Sequence, residues 1–345
     1  MLRNIVRTFS NNAKIVTFRD ALRMAMVEEM KRDPKVFLIG EEVGQYNGAY
    51  KVSKGMLEMF GPERVIDTPI TEAGFTGIAI GASNMGLRPI CEFMNMDFAL
   101  QSMSQILNSC AKNLYLTAGD ITSPIVFRGL NGPGVAVSVQ HSQCLAALFT
   151  NFPGLIVLCP YNAYDCKGLL KTAIRENNPV VFLESEIMYG REFEVADDFY
   201  DENFTIPIGL AKVERPGKHV TVVSFGRMVG ECLKAADELV KEGIEIEVIN
   251  LRSLKPLDRS TIVESIKKTG RLITVEDGSP QSGVGAEIIS AIVESPAFDY
   301  LDAHPQRVTA WDIPTPYVAP METAALPQVQ NIIKAVKQSL IGVKH

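Results

Sequence analysis

What this chain does without narrows its chemistry. No Cys-x-x-Cys occurs among its six cysteines, and no apolar run approaches the roughly 20 residues that span a bilayer. Cys91, Cys110, Cys144, Cys159, Cys166 and Cys232 lie mostly within apolar stretches, so they read as buried free thiols of a reducing compartment. No lysine/arginine cluster exceeds an ordinary helix face, and the net charge is −6. Nucleic acid and anionic membrane surfaces are therefore poor partners. No His/Cys/carboxylate group has metal-ligand spacing. Gly283-Val284-Gly285 starts like a dinucleotide loop, but no third glycine completes it, which excludes a nicotinamide fingerprint.

What is present has two-domain length, and 46% hydrophobic content is ample for buried cores. Residues 1–14 carry Arg3, Arg7 and Lys14, with no acid before Asp20. That basic, acid-free composition fits an organelle transit segment. Thr17 caps a helix with Leu22, Ala25, Met26 and Met30 on one face. Short apolar runs follow at Val36–Ile39, Ile90–Phe93, Ile125–Phe127, Leu155–Leu158 and Val180–Leu183, with a helical segment over Ala163–Glu176. Near-continuous apolar strands alternating with helices predict a parallel sheet covered on both faces.

Arg191–Asn203 breaks the pattern with six acids and reads as a solvated linker or surface loop. Alternation then restarts: strands at Thr221–Phe225, Ile246–Ile249, Arg271–Val275 and Arg307–Ala310, and helices closed by Gly243 and Gly270. A last amphipathic helix follows Pro327.

Two residues could carry chemistry. Glu72 stands at the lip of an apolar, glycine-rich stretch reaching to Glu92, interrupted by charge only at Arg88. It is either a first-turn acid favoured by a helix dipole, or a desolvated carboxyl able to share a proton with a ring nitrogen of a bound heterocycle. His219, His304 and His345 read as surface residues, whereas His141 follows the turn Gly129-Leu-Asn-Gly-Pro-Gly134. It is either a buried imidazole bonded to a loop carbonyl, or a proton-transfer group at a strand end. Cys144, three residues on, could pair with it as a nucleophile but leads into an apolar run and reads as structural. The Met/Phe cluster Phe93, Met94, Met96 and Phe98 fits core or cofactor pocket.

Whole strings go further. Gly40-Glu-Glu-Val-Gly-Gln-Tyr-Asn-Gly-Ala-Tyr-Lys-Val-Ser-Lys-Gly55, Asp67–Gly81, Arg88-Pro-Ile-Cys-Glu-Phe-Met94, Gln140-His-Ser-Gln-Cys144 and Ala173-Ile-Arg-Glu-Asn-Asn-Pro-Val-Val181 resemble the β subunits of the pyruvate dehydrogenase first component, over residues 15–342. The resemblance implies an α/β fold of two doubly wound domains: a thiamine pyrimidine-binding domain with a parallel sheet at 15–190, an acidic linker at 191–206, and a transketolase C-terminal-like domain at 207–345, after a mitochondrial transit segment at 1–14. It implies thiamine diphosphate-dependent oxidative decarboxylation of pyruvate in the mitochondrial matrix, with acetyl transfer to the lipoyl group of the dihydrolipoamide acetyltransferase core.

By position, Glu72 matches the glutamate that hydrogen-bonds the aminopyrimidine, and Phe98 the aromatic packed on that ring, with Ile70 and Gln101 nearby. His141 matches an active-site histidine that orients or protonates substrate and assists transfer to the lipoyl group. Ile125, Ala173, Ile174, Glu176 and Asn178 match a monovalent-cation site, for which potassium is the candidate, built mostly from backbone carbonyls, and Asp302 an acidic docking contact for the acyltransferase. Two departures stand out: Pro133-Gly-Val-Ala-Val-Ser138 is bulkier than the small-residue run the family places before the histidine, and Glu176 replaces an aspartate.

Thiamine enzymes hold the diphosphate through Mg2+ on a Gly-Asp-Gly…Asn motif. This chain has none: Glu276-Asp277-Gly278 comes closest, without a suitably placed asparagine. The expectation is an α2β2 tetramer whose α chain supplies the diphosphate half and the Mg2+ ligands. The competing readings are a branched-chain 2-oxo acid dehydrogenase β subunit, a non-catalytic scaffold that keeps only the fold, and a stand-alone transketolase-like enzyme.

Overall fold

The computed structural model describes residues 14–341. The transit segment expected at 1–14 lies outside them except for Lys14, as does His345. The first sheet has seven strands in the order Ser253–Lys255, Ile156–Leu158, Val180–Glu184, Val126–Leu130, Arg88–Glu92, Val36–Gly40 and Val65–Asp67. Only the first of these runs antiparallel to its neighbour. Four of the strands are buried along their whole length or nearly so, because helices cover both faces. The second sheet has five strands: Gln306–Val308, Leu272–Val275, Val220–Ser224, Ile246–Asn250 and an antiparallel edge, Lys212–Arg215.

The helix Phe18–Arg32 starts where Thr17 Oγ1 accepts from the Asp20 amide, and packs along Ala163–Arg175. Between these helices Lys167 and Lys171, both fully buried, meet Glu28 at 2.7 and 2.5 Å. Such a seam specifies how the two helices mate more than it adds stability.

The acidic stretch after Arg191 is not an unstructured linker throughout. Glu192–Val195 forms a strand antiparallel to Lys14–Thr17. Its short alternation turns Val195 inward while Glu192 and Glu194 stay in water, a two-residue period that six acids in the composition conceal. The short strand Val65–Asp67 also escapes sequence reading, being too brief and too weakly apolar to register.

The order of the first sheet decides where a ligand can bind. From Val36–Gly40 the chain moves outward to Val65–Asp67, then returns to the other side as Arg88–Glu92. That reversal opens a crevice beyond the carboxyl ends of the two strands. The residues that follow these strands are Glu41, Phe93 to Phe98 and, one strand further, Asn131 to His141. In the second sheet the corresponding reversal lies between Val220–Ser224 and Leu272–Val275, which end at Arg227 and at Glu276-Asp277.

Candidate active site

Glu72 is the first residue of the helix Glu72–Asn84, entered from Thr71. It is buried, at 5% exposure, and its carboxylate accepts no hydrogen bond from any described residue. A second acid, Glu41, reaches the same place from the end of Val36–Gly40. Its Oε1 is buried and likewise without a partner. Burial first, and the nearby Glu72 charge second, push the Glu41 carboxyl up to about 7. A like charge so near makes the ionised form of Glu41 costly. Glu41 was not singled out in the sequence, where it is one of two adjacent glutamates; its signal was position, an acid directly after an all-apolar strand. Asp67 steadies the loop beyond it, accepting from the amides of Gly44 at 2.6 Å and Gln45 at 2.9 Å.

The fold brings Phe98 and His141 together. Their rings meet edge to face, centroids 5.3 Å apart, both half-buried. Phe98 lies in the 3-10 helix Met96–Ser102, capped by Asn95, whose Oδ1 accepts from the Asp97 amide. Asn95 Nδ2 also donates to the His141 carbonyl at 2.9 Å. Asp97 accepts from the Gln143 side chain at 2.8 Å and from its amide at 3.4 Å. Burial raises the Asp97 carboxyl to about 6, against the Gln143 hydrogen bonds and the His141 charge that lower it. The Met/Phe cluster therefore divides: Phe93 and Met96 are core, while Asn95, Asp97 and Phe98 frame the histidine. Gln101 and Ile70 (84% exposed) stand on the open surface of the same helical layer.

The turn before His141 absorbs its bulk by pointing it outward. Val135, Val137 and Val139 are exposed, while the intervening Ala136 and Ser138 adopt positive φ, 56° and 83°. Gly134 has a φ of 142°, a conformation that favours glycine, and a Cβ there would push against the Ile187 side chain. At Cys144, burial first and then the Asp277 charge hold the thiol well above the ordinary range, which disfavours the thiolate, and the sulfur receives a weak contact from Asn131 at 3.5 Å. All six cysteines are free, and five are buried. Behind this turn a cleft of about 590 Å3 runs between the two sheets, lined by Gln143, Cys144, Asp277 and Trp311. Neither Glu72 nor Phe98 borders it.

Two of the carbonyls expected at a cation site already face a cation. Arg88 Nη1 donates to the carbonyls of Ile174 and Glu176, each at 3.0 Å. The Ile125 carbonyl accepts from Val180, and the Glu176 carboxylate from the Asn178 amide and side chain. Among the described residues no group of three or more His, Cys, Asp or Glu could hold a metal ion. Asp302 lies on the second unit, half exposed, 3.5 Å from Arg271 and far in sequence from the other site residues. His304 is exposed, and His219 accepts from the Glu245 amide.

Known proteins provide a frame for this geometry. Residues 14–191 match the transketolase pyrimidine binding domain, and residues 209–332 the transketolase C-terminal domain. The chain is 56% identical over 333 residues to the mitochondrial pyruvate dehydrogenase E1 component subunit beta-1 of Arabidopsis thaliana, covering 96% of this chain and 92% of that one. It is 55% identical to the corresponding Homo sapiens subunit over 325 residues, 94% and 90% of the two chains. A solved structure described as a split gene transketolase, inactive beta4 tetramer, superposes with a TM-score of 0.77 over 94% of this chain and 98% of that one. At 24% identity it speaks for the fold alone.

Proposed function

The chain belongs to the family of mitochondrial pyruvate dehydrogenase E1 component beta subunits, built on the thiamine-dependent transketolase fold, and from that premise we propose that it supplies the pyrimidine half of an active site completed by an α chain. The observation that carries this reading is a carboxyl pair at the sheet's switch point: Glu41, whose Oε1 is buried without a partner, and beside it Glu72, 5% exposed and hydrogen-bonded to no described residue. An electron-poor nitrogen heterocycle fits there, since it can supply the hydrogen bond that neither carboxyl finds within the protein.

Thiamine diphosphate, when bound, supplies a carbon centre that accepts the electrons released with carbon dioxide. Glu72 holds the proton shared with the ring nitrogen. Glu41, neutral below about pH 7, spares Glu72 a second negative charge. Phe98 offers an apolar face to the ring, with Ile70 and Gln101 at its margin. His141 orients or protonates substrate and assists acetyl transfer to a lipoyl group.

Several partners follow as parts of the same proposal. The helical layer around Glu72 exposes Ile78, Met85, Leu100, Tyr115 and Leu116. So much exposed apolar surface beside a half-open site suits a protein partner. The α chain of an α2β2 enzyme is that partner, carrying the Mg2+ ligands. Potassium at Ile125, Ala173, Ile174, Glu176 and Asn178 would share its carbonyls with Arg88. Asp302 would give the dihydrolipoamide acetyltransferase core an acidic contact.

Reconstituted with the α chain, the enzyme should turn over pyruvate in preference to 3-methyl-2-oxobutanoate. Competition between the two substrates in one assay measures the ratio of kcat/KM, and a preference for the branched acid would assign the chain to the branched-chain enzymes.

Glu41 gives a separate expectation. Its folded carboxyl titrates above the unfolded range, so its contribution to stability is complete below the ordinary glutamate range and lost as pH rises towards about 7. Glu41→Gln cannot ionise and escapes that loss. Between pH 5 and pH 8 the Gln variant should gain about 2–4 °C in Tm relative to the native chain. An unchanged difference at the two pH values would show that Glu41 does not titrate in this window.

A further inference from the structure

The turn that presents His141 is tied down from the other domain. Glu322, in the short helix Ala319–Ala325, is 3% exposed. Its two carboxylate oxygens accept from the amides of Gly134 and Ala136, each at 3.0 Å, across more than 180 residues of sequence. No cation of the described residues pairs with it, so these two amides are the partners of a buried charge. The turn is shaped for the contact: Gly132, Gly134, Ala136 and Ser138 have φ of 85°, 142°, 56° and 83°. Alternating residues of positive φ direct successive amides inward, a concavity that suits an anion. Positive φ at Ala136 and Ser138 is strained and persists only where surrounding contacts enforce it.

From there the chain of contacts reaches the histidine. The Ser138 carbonyl accepts from the His141 amide at 3.2 Å and from Ser142 Oγ at 2.7 Å. Thr315, from the segment preceding the Glu322 helix, donates to the Ser142 carbonyl at 3.4 Å. We infer that Glu322 is a positioning residue for His141: its carboxylate enforces the strained turn, and so fixes the imidazole against Phe98. The inference rests on the reading of His141 given above. It assigns the second domain a direct part in a site whose side chains all come from the first.

The test uses the enzyme reconstituted with its α chain and two readouts, pyruvate decarboxylation with an external electron acceptor and acetylation of a lipoyl domain. Glu322→Ala should lower kcat for lipoyl acetylation about 10- to 100-fold, the scale set by misplacing a catalytic group by roughly 1 Å. Glu322→Gln keeps one acceptor oxygen and should fall in between. The variant carrying both Glu322→Ala and His141→Ala should be no slower than His141→Ala alone, because a misplaced group and a missing one cost the same. Losses that multiply in the double variant would overturn the inference, as would a normal kcat for Glu322→Ala beside an impaired His141→Ala. Should Glu322→Ala fail to assemble, the isosteric Gln variant carries the same cycle. A normal rate for His141→Ala would overturn the role of His141 itself, and the positioning role with it.

Discussion

Glu72→Gln should leave the enzyme assembled with its α chain and lower pyruvate decarboxylation by about 10²- to 10⁴-fold, the range typical of a lost proton-transfer group. The substitution keeps the size and shape of a buried side chain, so packing around the first turn of Glu72–Asn84 is preserved. It removes only the ability to share a proton. The amide N–H can still donate a hydrogen bond to the ring nitrogen, which is why cofactor affinity should fall less than turnover. Glu41 sharpens the expectation. In the native pair a neutral Glu41 stands beside Glu72, and burial together with that neighbour's charge accounts for its titration near pH 7. With Gln at position 72 the like-charge contribution vanishes, so Glu41 should titrate lower while remaining raised by burial. The decisive measurement is turnover at saturating cofactor, beside sedimentation of the α–β assembly. Near-native turnover would favour the scaffold reading, in which the pocket no longer serves chemistry.

How much of this could be read from the chain alone depends on whether a residue's role is local or spatial. Apolar runs such as Val180–Leu183, caps such as Thr17, and stops such as Gly270 act within a few residues, and the sequence displays them. Glu72 and His141 were legible as candidates because each stands out from an apolar or glycine-rich setting. Their rank as a site needed the matched strings. Glu41, Asp97 and Glu322 stayed hidden because each acts across the fold. Glu41 matters only once the strand order places it beside Glu72, and Glu322 only once a helix 186 residues away docks on the turn. The carbonyls of the expected cation site show the converse: the positions were named, but no periodicity could have told that Arg88 faces two of them.

Replacing Arg128 by methionine should destabilise the chain by about 3–5 kcal/mol, the cost of leaving a buried charge uncompensated. Arg128, 1% exposed, lies mid-sheet on Val126–Leu130, between the strands carrying Glu92 and Glu184. Its Nε reaches Glu184 at 2.7 Å, its Nη1 contacts Glu92, and Tyr189 Oη donates to Glu184 at 2.6 Å. Burial raises the Glu92 carboxyl, with the Arg128 charge opposing it. Without the guanidinium, the rise that burial imposes on the Glu92 carboxyl goes unopposed. Its folded titration lies above the unfolded range, so stability is retained in acid and lost as pH rises. The deficit of the methionine variant should therefore be larger at pH 8 than at pH 5, and adding Glu92→Gln and Glu184→Gln should recover much of it. A deficit independent of pH would mean that lost packing, not unpaired charge, sets the cost. Activity should follow stability here, because this strand continues into the turn of His141. The Asn131 amide donates to the Glu184 carbonyl at 2.7 Å, and its side chain accepts from the Leu145 amide on the far side of that turn. Loosening the triad thus frees both ends of the loop that Glu322 holds at its middle.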